Sequence, residues 1–217
     1  DMSEAGAATF NSDVDVSSGA LKVGGTTVIN SSRAITATGM AVTGTVKLDG
    51  NYPTGSRNVA MGDDALGTIS SGASNVALGH NASKTASSAQ QTTAVGDQAL
   101  YDNTASYNTA VGYRAAFNVS SGLNNTAIGT NSLYNSSTTN GNVAVGESSV
   151  YGNTGGFNIG VGNSTLRGAG AGAKNIAIGD SALRDNTSGS NQVAIGYQSL
   201  TDNLSGTRNT AVGHITL

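Results

Sequence analysis

The chain has no cysteine, no tryptophan and a single proline, Pro53, in 217 residues. Without cysteine there is no disulfide framework and no thiolate metal site, and nothing to read about redox compartment. Charge is nearly as scarce. Asp, Glu, Lys and Arg make up 11% of the chain and net to -3, which lacks both the self-repulsion of a disordered acidic segment and the basic excess that holds a phosphate backbone. Nucleic acid is therefore not expected as a partner. Apolar runs are short, well under the roughly 18 residues that span a bilayer. The start, Asp1-Met2-Ser3-Glu4, has no basic region followed by an apolar one, so neither membrane insertion nor a signal peptide is expected in this stretch.

What is abundant is small: 31 glycines, with Ser, Thr, Asn and Ala. Leu, Ile, Val and Phe together are about a fifth of the chain, which is little for one ordinary core. This is the composition of a β-repeat protein, and a fixed internal period outranks any domain count based on length. The pentapeptide Asn142-Val143-Ala144-Val145-Gly146 has nine counterparts, whose glycines complete a series at Gly62, Gly79, Gly96, Gly112, Gly129, Gly146, Gly162, Gly179, Gly196 and Gly213. The steps are 16 or 17 residues.

Each position around that glycine has its own chemistry. The residue before it is always large and apolar, from Met61 and Leu78 to Ile195 and Val212, and reads as core. The residue two before is always tiny, alanine everywhere except Gly160, and on a strand must face the opposite way. It is expected to meet something closely, such as a neighbouring chain's backbone. Three before the glycine every residue is β-branched, which suits a pleated strand. Four before stands Asn, with Thr92 and Gln192 as exceptions, and a stacked asparagine bonding the turns above and below is the natural reading. The glycine itself is expected in a conformation that other residues resist. After it, small residues such as Ala65 and Ala99 and then Leu66, Leu100 and Leu133 suggest a second strand and a second core position, broken by Ser83 and Ala116. Polar segments such as Asp102-Asn103-Thr104-Ala105-Ser106 read as outer corners.

Two short strands and two bends in about seventeen residues make a β-solenoid coil. One coil cannot bury its own face, so stability comes from stacking neighbours. Ten coils would rise on the order of 45 Å at the usual interstrand spacing. The thin core points to several chains side by side. Residues 1–55 lack the repeat and show short runs, Phe10 to Val16, Ala20 to Val23, Thr26 to Ile29 and Ala41 to Leu48, each bounded by turn signals. The expected organisation is a short-strand β segment over 1–55, a shaft or connector, and solenoid repeats over 56–217, with the boundary at Asn51-Tyr52-Pro53-Thr54-Gly55.

Asn-x-Ala-[Val/Ile]-Gly followed by small and apolar positions resembles the head repeat of trimeric autotransporter adhesins of the YadA type. The resemblance covers residues 58–217 and implies an all-β, left-handed parallel β-roll assembled as an elongated homotrimer. It departs in period, the adhesin repeat being shorter, and the extra residues fall in the outer loop. Longer repeats preceded by a segment like Gly19-Ala20-Leu21-Lys22-Val23-Gly24-Gly25-Thr26-Thr27-Val28-Ile29 are similar to bacteriophage tail fibres, which often end in an intramolecular chaperone. The chain stops mid-coil at Leu217, which reads as a fragment of a longer protein.

Chemistry-bearing residues are scattered. His80 and His214 lie eight coils apart and cannot form a pair within a chain; an exposed surface position accounts for each, and a ring of three about a trimer axis is the alternative. Asp63-Asp64 is an adjacent acidic pair, while Asp97, Asp180 and Asp185 sit on other coils, as solvated turn residues would. Gly168-Ala169-Gly170-Ala171-Gly172 has the glycines of a calcium-binding β-roll without the carboxylates, and lacks the strand-then-helix context of a dinucleotide fingerprint. No Gly-x-Ser-x-Gly elbow is present, so no catalytic residue, metal site, cofactor or enzymatic activity is expected. Asn-x-Ser/Thr sequons such as Asn118-Val119-Ser120 arise from composition alone.

One position stands out. Five residues after the glycine are Tyr101, Phe117, Tyr134 and Tyr151 in four consecutive coils, then Arg167 and Arg184. Stacked coils would make these a ladder that seals the corner, or alternatively a strip facing a sugar or acidic polymer.

Three functions follow. The first is a structural fibre protein of a bacteriophage tail, projecting from the virion, contacting other fibre or virion proteins and contributing to attachment at a host-cell glycan or protein. The second is the head of a bacterial surface adhesin. The third is an ice-binding solenoid, for which Thr93, Thr109, Thr126 and Thr210 are the nearest approach to a threonine array.

Overall fold

The computed structural model describes residues 56–168, 170 and 172–216. The short strands expected over 1–55, the boundary at 51–55, Ala169, Ala171 and Leu217 lie outside the described residues. Ten strands of three residues each follow in order: β1 Val59–Met61, β2 Val76–Leu78, β3 Thr93–Val95, β4 Thr109–Val111, β5 Thr126–Ile128, β6 Val143–Val145, β7 Ile159–Val161, β8 Ile176–Ile178, β9 Val193–Ile195 and β10 Thr210–Val212. They form one parallel sheet in chain order, β1 to β10. Register is column on column, as in Thr126↔Val143, Ala127↔Ala144 and Ile128↔Val145. The described residues form an all-β solenoid of about nine turns with about 17 residues per turn.

The orientation of the strands reverses the expectation from side-chain size. The alanine column faces inward: Ala77, Ala94, Ala110, Ala127, Ala144, Ala177 and Ala194 are fully buried. The large column read as core instead faces out, with Met61 55%, Ile128 41%, Ile178 39% and Val212 65% exposed. The physical reason is the narrowness of the coil. A Cβ placed on Gly160 would lie 2.6 Å from Ser149 Oγ and 2.7 Å from Thr165 Oγ1 and Val150 Cγ2, so this coil has no room for even a methyl group, and the other coils fill the same inward position with alanine and nothing larger. What the alanines meet closely is the far wall of their own coil rather than another chain.

That far wall is not the second strand expected. After the glycine the φ angle is positive at every other residue, for example Asn131 (φ 53) and Leu133 (φ 50), an alternation incompatible with extended backbone. Its main chain nonetheless bonds coil to coil, Leu133 N–H to Ser149 O at 2.9 Å and Asn135 N–H to Tyr151 O at 2.8 Å. Leu66, Leu100, Leu133, Val150, Leu166, Leu183 and Leu200 point inward and supply most of the core volume. Fully burying each such side chain is worth about 1.5–3 kcal/mol.

The polar segments are also more than outer corners. Seven residues after the glycine, Ile69, Ala86, Asn103, Val119 and Ser136 are buried in successive coils. Where asparagine occupies this position it folds its own loop: Asn103 Nδ2 donates to Ala105 O at 3.0 Å, and Gly155 N–H donates to Asn153 Oδ1 at 2.6 Å.

The repeat glycines take φ between 120 and 139, and a Cβ on Gly146 would stand 2.4 Å from Gly162 O in the next coil. Both conformation and spacing therefore demand glycine. The asparagine ladder exists and reaches both neighbouring coils: Asn125 Nδ2 donates to Asn108 Oδ1 of the preceding coil at 3.3 Å, and its shorter bonds run to the following one. Asn125 Oδ1 accepts from Asn142 N at 2.9 Å, and Asn125 Nδ2 donates to Thr139 O at 2.8 Å.

Candidate functional site

The residue five after the glycine leaves the core wall at a fixed angle, because the leucine-column residue before it is held at positive φ in every coil: Leu100 (φ 48), Ala116 (φ 50), Leu133 (φ 50), Val150 (φ 51). Side chains at this position therefore repeat at the coil rise. Tyr101, Phe117, Tyr134 and Tyr151 stack face to face, with centroids 4.9, 5.1 and 5.0 Å apart and planes within 11°, 6° and 3°. All four rings are half-buried. Stacking covers both faces of Phe117 and Tyr134, so these two present their edges outward.

Cations close both ends. Lys84 Nζ lies 5.8 Å from the Tyr101 centroid, and Arg167 Cζ lies 6.0 Å from that of Tyr151. Arg114 joins from the side, 5.4 Å from Phe117 and 5.0 Å from Tyr113. Lys84 stands five residues after Gly79, in the same column one coil before Tyr101, whereas Arg114, two residues after Gly112, lies outside that column.

The two ends differ electrically. Lys84 is paired to Asp64 at 3.2 Å. Arg167 is exposed and forms no ion pair or side-chain hydrogen bond among the described residues. Arg184 does not continue the stack; it turns to Asp185, with Nη2 to Oδ2 at 2.7 Å and Nε to Oδ1 at 3.1 Å. This hydrogen bonding holds the Asp185 carboxyl below its ordinary value, against slight burial and with help from the charges of Arg184 and Arg167. The same contact raises Arg184. Beyond Tyr151 these groups line a depression of about 360 Å³, formed by Asn135, Tyr151, Gly152, Arg167, Gly168, Arg184 and Asp185. A larger one, about 480 Å³, lies beside Leu200, Asp202 and Arg208 and follows from the unstacked face of the last described coil.

The remaining polar groups stay apart. His80 Nδ1 is 3.0 Å from Asp97 Oδ1 one coil on, and His214 stacks on Tyr197 at 5.2 Å; both histidines are exposed and they do not meet. Among the described residues, no group of three His, Cys, Asp or Glu could hold a metal ion, and no helix is long and apolar enough to cross a membrane. Thr93, Thr109 and Thr126 line up in register on the outward face of β3 to β5.

Comparison of the chain with protein-family models, with curated proteins and with solved structures found no match.

Proposed function

We propose that this chain is a segment of a structural fibre: an elongated homotrimer of left-handed β-rolls, part of a bacteriophage tail fibre that projects from the virion and contributes to host-cell attachment. The observation that carries the reading is the outward face of the ten-stranded sheet. It is an in-register stripe of aliphatic and β-branched side chains, including Val111, Ile128, Ile159, Val161, Ile178 and Ile195, each 36–41% exposed. At about 4.8 Å per strand the stripe runs some 40 Å, and a continuous apolar patch of such length on a soluble protein marks an interface. Three copies around an axis parallel to the coil stack would bury it at the centre and leave the loops outward.

Mass in solution tests the assembly. The trimer should weigh three times 21.4 kDa, and Ile178→Asp should dissociate it; a wild-type monomer would overturn the fibre reading. The resemblance to phage fibres favours a virion over a bacterial surface, and gold-labelled antibody against the chain should decorate phage tails. Decoration of bacterial envelopes would instead support the adhesin head.

A further inference from the structure

We infer that the C-terminal end of the aromatic ladder is a binding subsite for a carboxylate-bearing sugar residue of an acidic polysaccharide. Every interior ring face of the ladder is occupied by a neighbouring ring. The outer face of Tyr151 is different, met by a guanidinium 6.0 Å away in place of a ring near 5 Å. Beside it lies a depression of about 360 Å³, enough for one pyranose.

The charges there select the ligand. Arg184 is fixed and neutralised by Asp185, whereas Arg167 keeps its planar donor fork unpaired among the described residues. Two guanidinium groups and one carboxylate leave a single net positive charge, which matches a monovalent carboxylate. The fixed Asp185 carboxylate opposes a dianionic phosphate. A bidentate Arg167–carboxylate contact would hold the sugar in the depression beside the guanidinium that caps Tyr151. The carboxamide of Asn135 already accepts from Asn118 Nδ2 at 2.7 Å, which leaves its NH2 to meet a hydroxyl. At the other end of the ladder Lys84 is tied to Asp64, so the same ring type offers no unpaired cation.

The subsite also stays open in the proposed fibre. Val150 faces the inside of β7 across the coil interior, so Tyr151 lies on the wall opposite the apolar sheet face.

The test is affinity electrophoresis of the full chain through gels containing polygalacturonate, with carboxyl-reduced polygalacturonate and dextran sulfate as comparators and a melting temperature for each variant. Wild type should be retarded by polygalacturonate and not by the reduced polymer. Arg167→Gln should lose at least tenfold in retardation at unchanged melting temperature, and Lys84→Gln should behave as wild type. No retardation of wild type, equal loss in both variants, or retardation only by the sulfated polymer would overturn the subsite. The test requires neither a trimer nor a virion, so a trimeric chain without uronate binding sinks this proposal alone, and a monomer that binds uronate sinks the fibre alone.

Discussion

Asn125 Oδ1 accepts the backbone N–H of Asn142, one coil further on, at 2.9 Å while its Nδ2 donates to Thr139 O at 2.8 Å, and both ends of this clamp are buried. One side chain thus satisfies two main-chain groups of the next coil. Asn125→Ala strands both, at a cost of about 1–3 kcal/mol for each buried group left unpaired, and should lower the thermal midpoint by several degrees. The ladder is broken at Thr92, which accepts nothing from Asn108 N–H although Thr92 N–H and Oγ1 both bond to Asn75 Oδ1. Thr92→Asn should raise the midpoint by restoring the clamp. A midpoint unchanged in both variants would show that the carboxamides contribute nothing net.

Gly146 and Gly141 are five residues apart and should respond oppositely. Gly146→Ala puts a Cβ 2.4 Å from Gly162 O at φ 125 and should cost upward of about 2 kcal/mol. Gly141 sits at φ 67, where other coils carry Tyr107 or Asn124, and its obstacle is the exposed ring of Phe157, which has solvent to turn into. Gly141→Asn should therefore shift the urea midpoint little. Equal losses in the two would contradict this account.

Tyr134 touches a ring on each side. Tyr134→Ala removes two stacked contacts, each worth about 0.5–1.5 kcal/mol, so a loss of about 2 kcal/mol in urea unfolding is expected, and Tyr134→Phe should retain nearly all stability. If Tyr134→Ala melts like wild type, the rings do not support the coil.

Acid should act on the Arg184–Asp185 pair. Because Asp185 is held below its ordinary value when folded, the unfolded chain takes up the proton first on acidification. The pair's contribution is present above the ordinary carboxylate value and is lost as pH falls from there through the lower folded value. Both side chains are more than a third exposed, 37% and 42%, so the contribution is at most about 1 kcal/mol and weakens with salt. Asp185→Asn should melt lower than wild type at pH 7 and equally near pH 2; a gap independent of pH would refute the sign.

Sequence alone specifies the period, the position of the ten described strands, the need for glycine at Gly146 and its counterparts, and the stacked asparagines. These are readable because identical local chemistry repeats ten times and parallel in-register stacking places like on like. It also placed Tyr101 to Tyr151 in one line. Which way the strands face follows from packing alone. Period two separates Ala144 from Val145 without saying which is inside, and the choice fell to the width of the coil, which admits a methyl group and turns the larger side chains out. Likewise, Arg167 and Arg184 look equivalent in the column, yet one lies over Tyr151 and the other turns to Asp185, because Asp185 follows Arg184 directly whereas Gly168 follows Arg167. The asymmetry that makes one end of the ladder available depends on a partner one residue away, which a column-by-column reading passes over.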